Sequence, residues 1–78
     1  MRIEITDHAK KRMQDYNISE DLVLETIRSP DNIVETYGDR NIFQKKLNGY
    51  VLRLIVEENE GIKTVITLYK ARSGRYEI

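Results

Sequence analysis

His8 and Arg12 stand four residues apart in Thr6-Asp7-His8-Ala9-Lys10-Lys11-Arg12-Met13, so on a helix they share one face. An imidazole beside a guanidinium can move a proton and neutralise an anion on one ligand. The positive end of the helix there favours the neutral ring, which suits a base or a hydrogen-bond donor. The alternative is structural: His8 packs over a sheet edge, and Arg12 pairs with an acid such as Asp15 or a carboxylate on the next helix. A second group gathers Arg53, Lys46 and Tyr69 with Lys70, Arg72, Arg75 and Tyr76 of the C-terminal segment. Cations interleaved with aromatics suit phosphate neutralisation and base stacking. The same residues would also serve as solubilising charge on an exposed sheet.

These groups need a scaffold, and the stretch from Ile42 to Ala71 supplies it. It reads as three antiparallel strands. Asn48-Gly49 suits a two-residue type I′ turn that sets Leu47 opposite Tyr50 and Phe43 opposite Leu54. Asn59-Glu60-Gly61 fits a three-residue loop, which would pair Glu57 with Lys63, Val56 with Thr64 and Leu52 with Leu68. The buried face is then Phe43, Leu47, Tyr50, Leu52, Leu54, Val56, Ile66 and Leu68. The open face carries Gln44, Lys46, Val51, Arg53, Ile55, Val65, Thr67 and Tyr69. Its mixture of cations, hydroxyls and aliphatics fits a nucleic-acid platform, a self-association surface, or plain cross-strand pairing.

Upstream, Thr6 or Asp7 caps a first helix whose inner stripe is Ala9, Met13 and Tyr16, and Asn17 ends it. Ser19 caps a second, with Ile18 stapling to Val23 and a buried stripe of Val23, Leu24 and Ile27; Pro30 stops it. Ile33 to Tyr37 has strand composition, and Arg2 to Ile5 alternates enough for a short edge strand. Tyr76 and Ile78 are candidates to dock on the domain. The expected fold is α+β: two N-terminal helices packed on one face of a four-stranded antiparallel sheet, with an extra N-terminal edge strand as an option.

Composition narrows the chemistry. A chain of 78 residues forms one domain, residues 1–78, and buries only about 60 to 65% of its unfolded surface, so any site is shallow. There is no cysteine and one histidine, which excludes thiolate chemistry and points to no metal and no cofactor. The acidic turn Glu57-Glu58-Asn59-Glu60 lacks the spacing of a calcium loop. No apolar run is long enough to cross a bilayer, so the expectation is a cytoplasmic protein with no membrane partner. Thirteen basic and thirteen acidic residues cancel, which counts against strong non-specific polyanion binding. The charge is segregated nevertheless, with Glu20 to Asp39 acidic and Arg40, Lys45, Lys46 and Arg53 following.

The run His8-Ala9-Lys10-Lys11-Arg12-Met13 with Ile18-Ser19-Glu20-Asp21 resembles the H-A-x-x-R-M…I-S signature of a small prokaryotic family of unknown function. Thr67-Leu68-Tyr69-Lys70 resembles that family's final strand; Tyr16 stands where the family commonly has a second arginine. The family is similar in its order of elements to the RelE/ParE/BrnT-like toxins, many of which are metal-independent ribonucleases. The resemblance implies attack of a ribose 2′-hydroxyl on the adjacent phosphate. In that role His8 is a base or acid, Arg12 or Arg53 a phosphate clamp, and Lys70, Arg72 and Tyr76 further candidates. Lys46, Tyr69, Arg72 and Arg75 would touch RNA. It implies RNA or the ribosome and an antitoxin protein as partners. The contrasting expectation is a non-catalytic module of the same fold that binds a protein, or forms a homodimer, through the open sheet face.

Overall fold

Leu52, Leu54 and Val56 alternate along the longest apolar run and lie wholly within the molecule, so the strand that carries them is central. In the computed structural model, which describes residues 2–73, this strand is β4 (Tyr50–Asn59). Around it the chain forms β1 (Arg2–Ile5), α1 (Asp7–Tyr16), α2 (Glu20–Arg28), β2 (Asn32–Glu35), β3 (Arg40–Leu47) and β5 (Ile62–Arg72). The sheet order is β1-β5-β4-β3-β2. β1 runs parallel to β5, and every other pair is antiparallel. The two helices and the optional N-terminal edge strand at Arg2–Ile5 are present, and the parallel pairing of that strand with β5 corrects the four-stranded antiparallel sheet to a five-stranded mixed one. A four-residue strand that leads into a helix has no turn to declare its neighbour, so its partner is chosen only when the chain closes.

Both helices pack on one face. Ala9 of α1, Ile18 between the helices, and Val23 and Ile27 of α2 form one cluster with Phe43, Leu52, Leu54, Val56, Val65 and Leu68. Met13 and Tyr16 lie against it, as the periodicity requires. In α2 the expected Leu24 is only half-buried. Thr26 is fully buried instead, its hydroxyl donating to the Leu22 carbonyl at 2.7 Å and so entering the core with its polar group satisfied.

The helix ends follow their capping residues. The Thr6 side chain accepts from the Ala9 amide and the Ser19 side chain from the Leu22 amide. Asn17 takes the left-handed conformation, φ 56°, and the Asn17 and Ile18 amides return to the Gln14 and Met13 carbonyls.

The first hairpin keeps its expected pairs, Leu47 with Tyr50 and Phe43 with Leu54. Its turn differs: Gly49 has positive φ and Asn48 does not, so the type I′ pattern is absent there. That pattern occurs instead at Glu60-Gly61, φ 50° and 78°, which corrects the three-residue loop to a two-residue one. The pairs become Asn59 with Ile62, Glu57 with Thr64 and Val56 with Val65. A bulge between Ile55 and Val56 on the β4 side absorbs Ile66, after which Ile55 pairs with Thr67, Leu54 with Leu68 and Leu52 with Lys70. Val65, expected on the open face, thereby enters the core, and Ile66 is only half-buried.

Leu54 fills the middle of this core. Leu54→Ala is expected to cost about 2 to 5 kcal/mol in urea unfolding. Glu60 holds a backbone conformation that asparagine adopts more readily, so Glu60→Asn should stabilise by about 0.5 to 1 kcal/mol, read in the same assay. Unchanged stability in Glu60→Asn would show that the turn carries no strain.

Candidate functional site

Thr6 decides where the helix motif lies. β1 pairs with β5 only as far as Ile5 with Val65. Beyond that point the Thr6 amide donates to the Val65 carbonyl at 3.2 Å, and its hydroxyl donates to the Ile66 carbonyl at 2.9 Å. The same hydroxyl oxygen accepts from Ala9 at 3.0 Å, so one side chain starts α1 and ties it to the edge of β5. His8 follows two residues later and is exposed, its Nε2 2.9 Å from Thr67 Oγ1. The direction of that hydrogen bond follows the ring tautomer.

Thr67 and Tyr69 are two apart on β5 and share the sheet face turned away from the helices, about 7 Å apart along the strand. Tyr69 pairs with Arg53 of β4, and Arg53 with Gln44 of β3. Arg53 Nη1 donates to the Tyr69 hydroxyl at 2.6 Å, a short charge-assisted bond, while the guanidinium carbon lies 5.5 Å from the ring centroid. The guanidinium is thus locked over the ring and against its hydroxyl. Arg53 is only 8% exposed and Gln44 1%. A charge so far from water demands such partners. Gln44 Oε1 accepts no hydrogen bond among the described residues.

The two groups singled out in sequence therefore meet in part. His8 reaches the sheet face at Thr67, next along β5 to the Tyr69–Arg53 pair. Arg12, one turn along α1, is half-buried and makes no ion pair among the described residues; Asp15 is 4.0 Å from Lys11 instead. Lys46 shares the face of Arg53 one cross-strand row away, opposite Val51, and is exposed.

Lys70 and Arg72 belong to the opposite face, since they pair with Leu52 and Tyr50. There the Lys70 ammonium lies 5.3 Å over the Tyr50 ring. Arg75, Tyr76 and Ile78 lie outside the described residues. A depression of about 500 Å³ between Ile5, Met13, Ile18 and Glu20 is set apart from His8, so the chemistry-bearing groups occupy a surface and not that hollow. Gln44 completes the row of Arg53 and Tyr69, and Thr67 stands in the next row beside His8, yet no motif marks either; only the strand pairing places them there.

Residues 5–70 match the pattern of DUF4258, a domain of unknown function. The chain belongs to the DUF4258 family. The match spans β1's last residue through most of β5, so it takes in Thr6, His8, Arg12, Arg53, Thr67 and Tyr69. No curated protein and no solved structure matches the chain. For this DUF4258 domain the arrangement sets a histidine on Thr67 of β5, next along the strand to a tyrosine hydroxyl held by a guanidinium.

Two substitutions measure the joint. Thr67→Val should shift the His8 imidazole nitrogen resonances in NMR while changing stability by under about 1 kcal/mol, because the lost hydrogen bond is exposed. Tyr69→Phe removes an acceptor from the buried Arg53 and should cost about 1 to 3 kcal/mol in urea unfolding. A loss below about 0.5 kcal/mol would mean that the guanidinium does not depend on that hydroxyl.

Proposed function

We propose that this domain is a toxin-type, metal-independent endoribonuclease of the RelE/BrnT kind, acting on RNA or ribosome-bound RNA and held in check by an antitoxin protein. The observation that carries the reading is the 2.9 Å contact between His8 and Thr67, which puts the helix motif beside the face bearing Tyr69 and Arg53. In the proposed reaction a ribose 2′-oxygen attacks the adjacent phosphorus, and the bond to the 5′-oxygen of the next nucleotide breaks. His8 takes the 2′-hydroxyl proton. Arg12 and Tyr69, both partly exposed, meet the phosphate as its charge builds.

Arg53 acts from behind. At 8% exposure it positions Tyr69 and polarises its hydroxyl, and a phenol that accepts from a guanidinium is the better donor to the departing oxygen. Lys46 supplies a further cation along the same face. Lys70 and Arg72, on the other face, take no part in this step.

A second reading is a non-catalytic interaction module of the same fold. Zero net charge favours it, as does the depth of Arg53 and Gln44. Induced expression in a bacterial host, with growth followed and RNA 5′ ends mapped within minutes, separates the two. New RNA ends with growth arrest are expected. His8→Ala and Arg12→Ala should each reduce cleavage by about 100-fold or more. Normal growth and unchanged RNA from protein shown to be folded by circular dichroism would place the ribonuclease reading below the interaction module.

A further inference from the structure

The two edges of the sheet are finished differently. On β1 the exposed Arg2 and Glu4 face water with their charged groups 3.9 Å apart, and beyond β1 the edge of β5 is taken by Thr6 and His8. Such charges blunt an edge against pairing. β2, at the other end, has no further strand beside it among the described residues. Ile33 is 44% exposed, Val34 36%, and Tyr37 just beyond the strand 97%. No lysine or proline interrupts the run Asn32-Ile33-Val34-Glu35-Thr36-Tyr37. It is a short edge with exposed aliphatic and aromatic side chains and a single charge, Glu35.

Its sequence is selective about what can pair with it. Two copies that pair antiparallel about a two-fold axis normal to the sheet keep their helix-bearing faces on one side. Paired residues then face the same way, and the axis must fall on a residue. Centred on Asn32, the pairing sets Pro30, which has no N–H, opposite Val34. An axis at Ile33 sets Asp31 opposite Glu35, and one at Glu35 sets two glutamates face to face. With the axis at Val34, Val34 meets its own copy, Ile33 meets Glu35, Asn32 meets Thr36, and no like charges oppose.

That register also continues an existing row. Val34 pairs with Ile42, Ile42 with Ile55, and Ile55 with Thr67, all on the face away from the helices. Joined at Val34, the rows become one line of six aliphatic side chains with a threonine at each end. Zero net charge leaves no general repulsion between copies.

We infer that β2 pairs antiparallel with β2 of a second copy about an axis at Val34, joining two five-stranded sheets into one. The inference is independent of RNA cleavage. It uses the edge, whereas the homodimer expected from sequence used the open face. In the joined sheet the two His8 sites lie at the outer ends of one continuous surface.

The interface is small, below about 1,200 Å² in total, so the association is weak, with Kd on the order of 0.1 mM. Sedimentation equilibrium should show the average mass rising from 9.2 kDa toward twice that value between about 10 µM and 1 mM. Val34→Lys sets two like charges opposite each other and should remain monomeric with an unchanged circular dichroism spectrum. Directly paired Cα atoms are about 4.5 to 5.5 Å apart, within disulfide reach, and the chain has no cysteine of its own. Oxidised Val34→Cys should therefore cross-link between copies. Thr36→Cys, whose two copies would lie about 13 Å apart along the strands, should not. A monomer at every concentration, a dimer that survives Val34→Lys, or cross-linking as efficient at residue 36 as at residue 34 would overturn the inference.

Discussion

The extra residue at Ile66 governs both faces of the sheet. A regular β5 would turn Val65 and Leu68 to opposite sides, because side chains alternate with a period of two. The bulge resets the alternation, so both join the core beside Val56 and Leu54. The same reset turns Thr67 and Tyr69 outward together, and Tyr69 comes to stand beside Arg53. Thr6 then fastens α1 to this irregularity, its hydroxyl donating to the carbonyl of Ile66 itself. Core, bulge, helix cap and candidate site are one mechanical unit.

The unit explains why a buried arginine is tolerated in so small a domain. Burying a guanidinium costs several kcal/mol unless it is compensated, and Tyr69 supplies both an acceptor oxygen and an aromatic face. Holding both groups on adjacent, well-paired strands leaves their geometry little freedom. A polar constellation on paired strands is more rigid than one on loops, which is what positioning chemistry requires. His8 brings an exposed imidazole, hydrogen-bonded to Thr67, to the rim of that patch.

Local signals in the chain were reliable wherever one element decides its own conformation. Thr6, Asn17 and Ser19 cap helices as their types predict, because a cap answers to backbone amides and carbonyls within a few residues. The Ala9, Met13 and Tyr16 stripe follows from helical periodicity, and the Phe43–Leu54 pairing from the two-residue connection at Asn48-Gly49. Glu60 resisted such reading. Its left-handed conformation is set by the strands it joins, and nothing in a glutamate announces it.

The candidate site divides along the same line. The sequence by itself determined its chemical types: His8 and Arg12 on one helix face, and Arg53 and Tyr69 among strand residues, in a chain without thiols. Whether they meet depended on the parallel docking of β1 against β5, on the bulge at Ile66, and on the bond from Thr6 that follows. The β1 and Thr6 contacts join residues some sixty positions apart, and they are selected by how well the closed core packs. No local propensity encodes that choice, so tertiary structure alone set His8 beside Thr67.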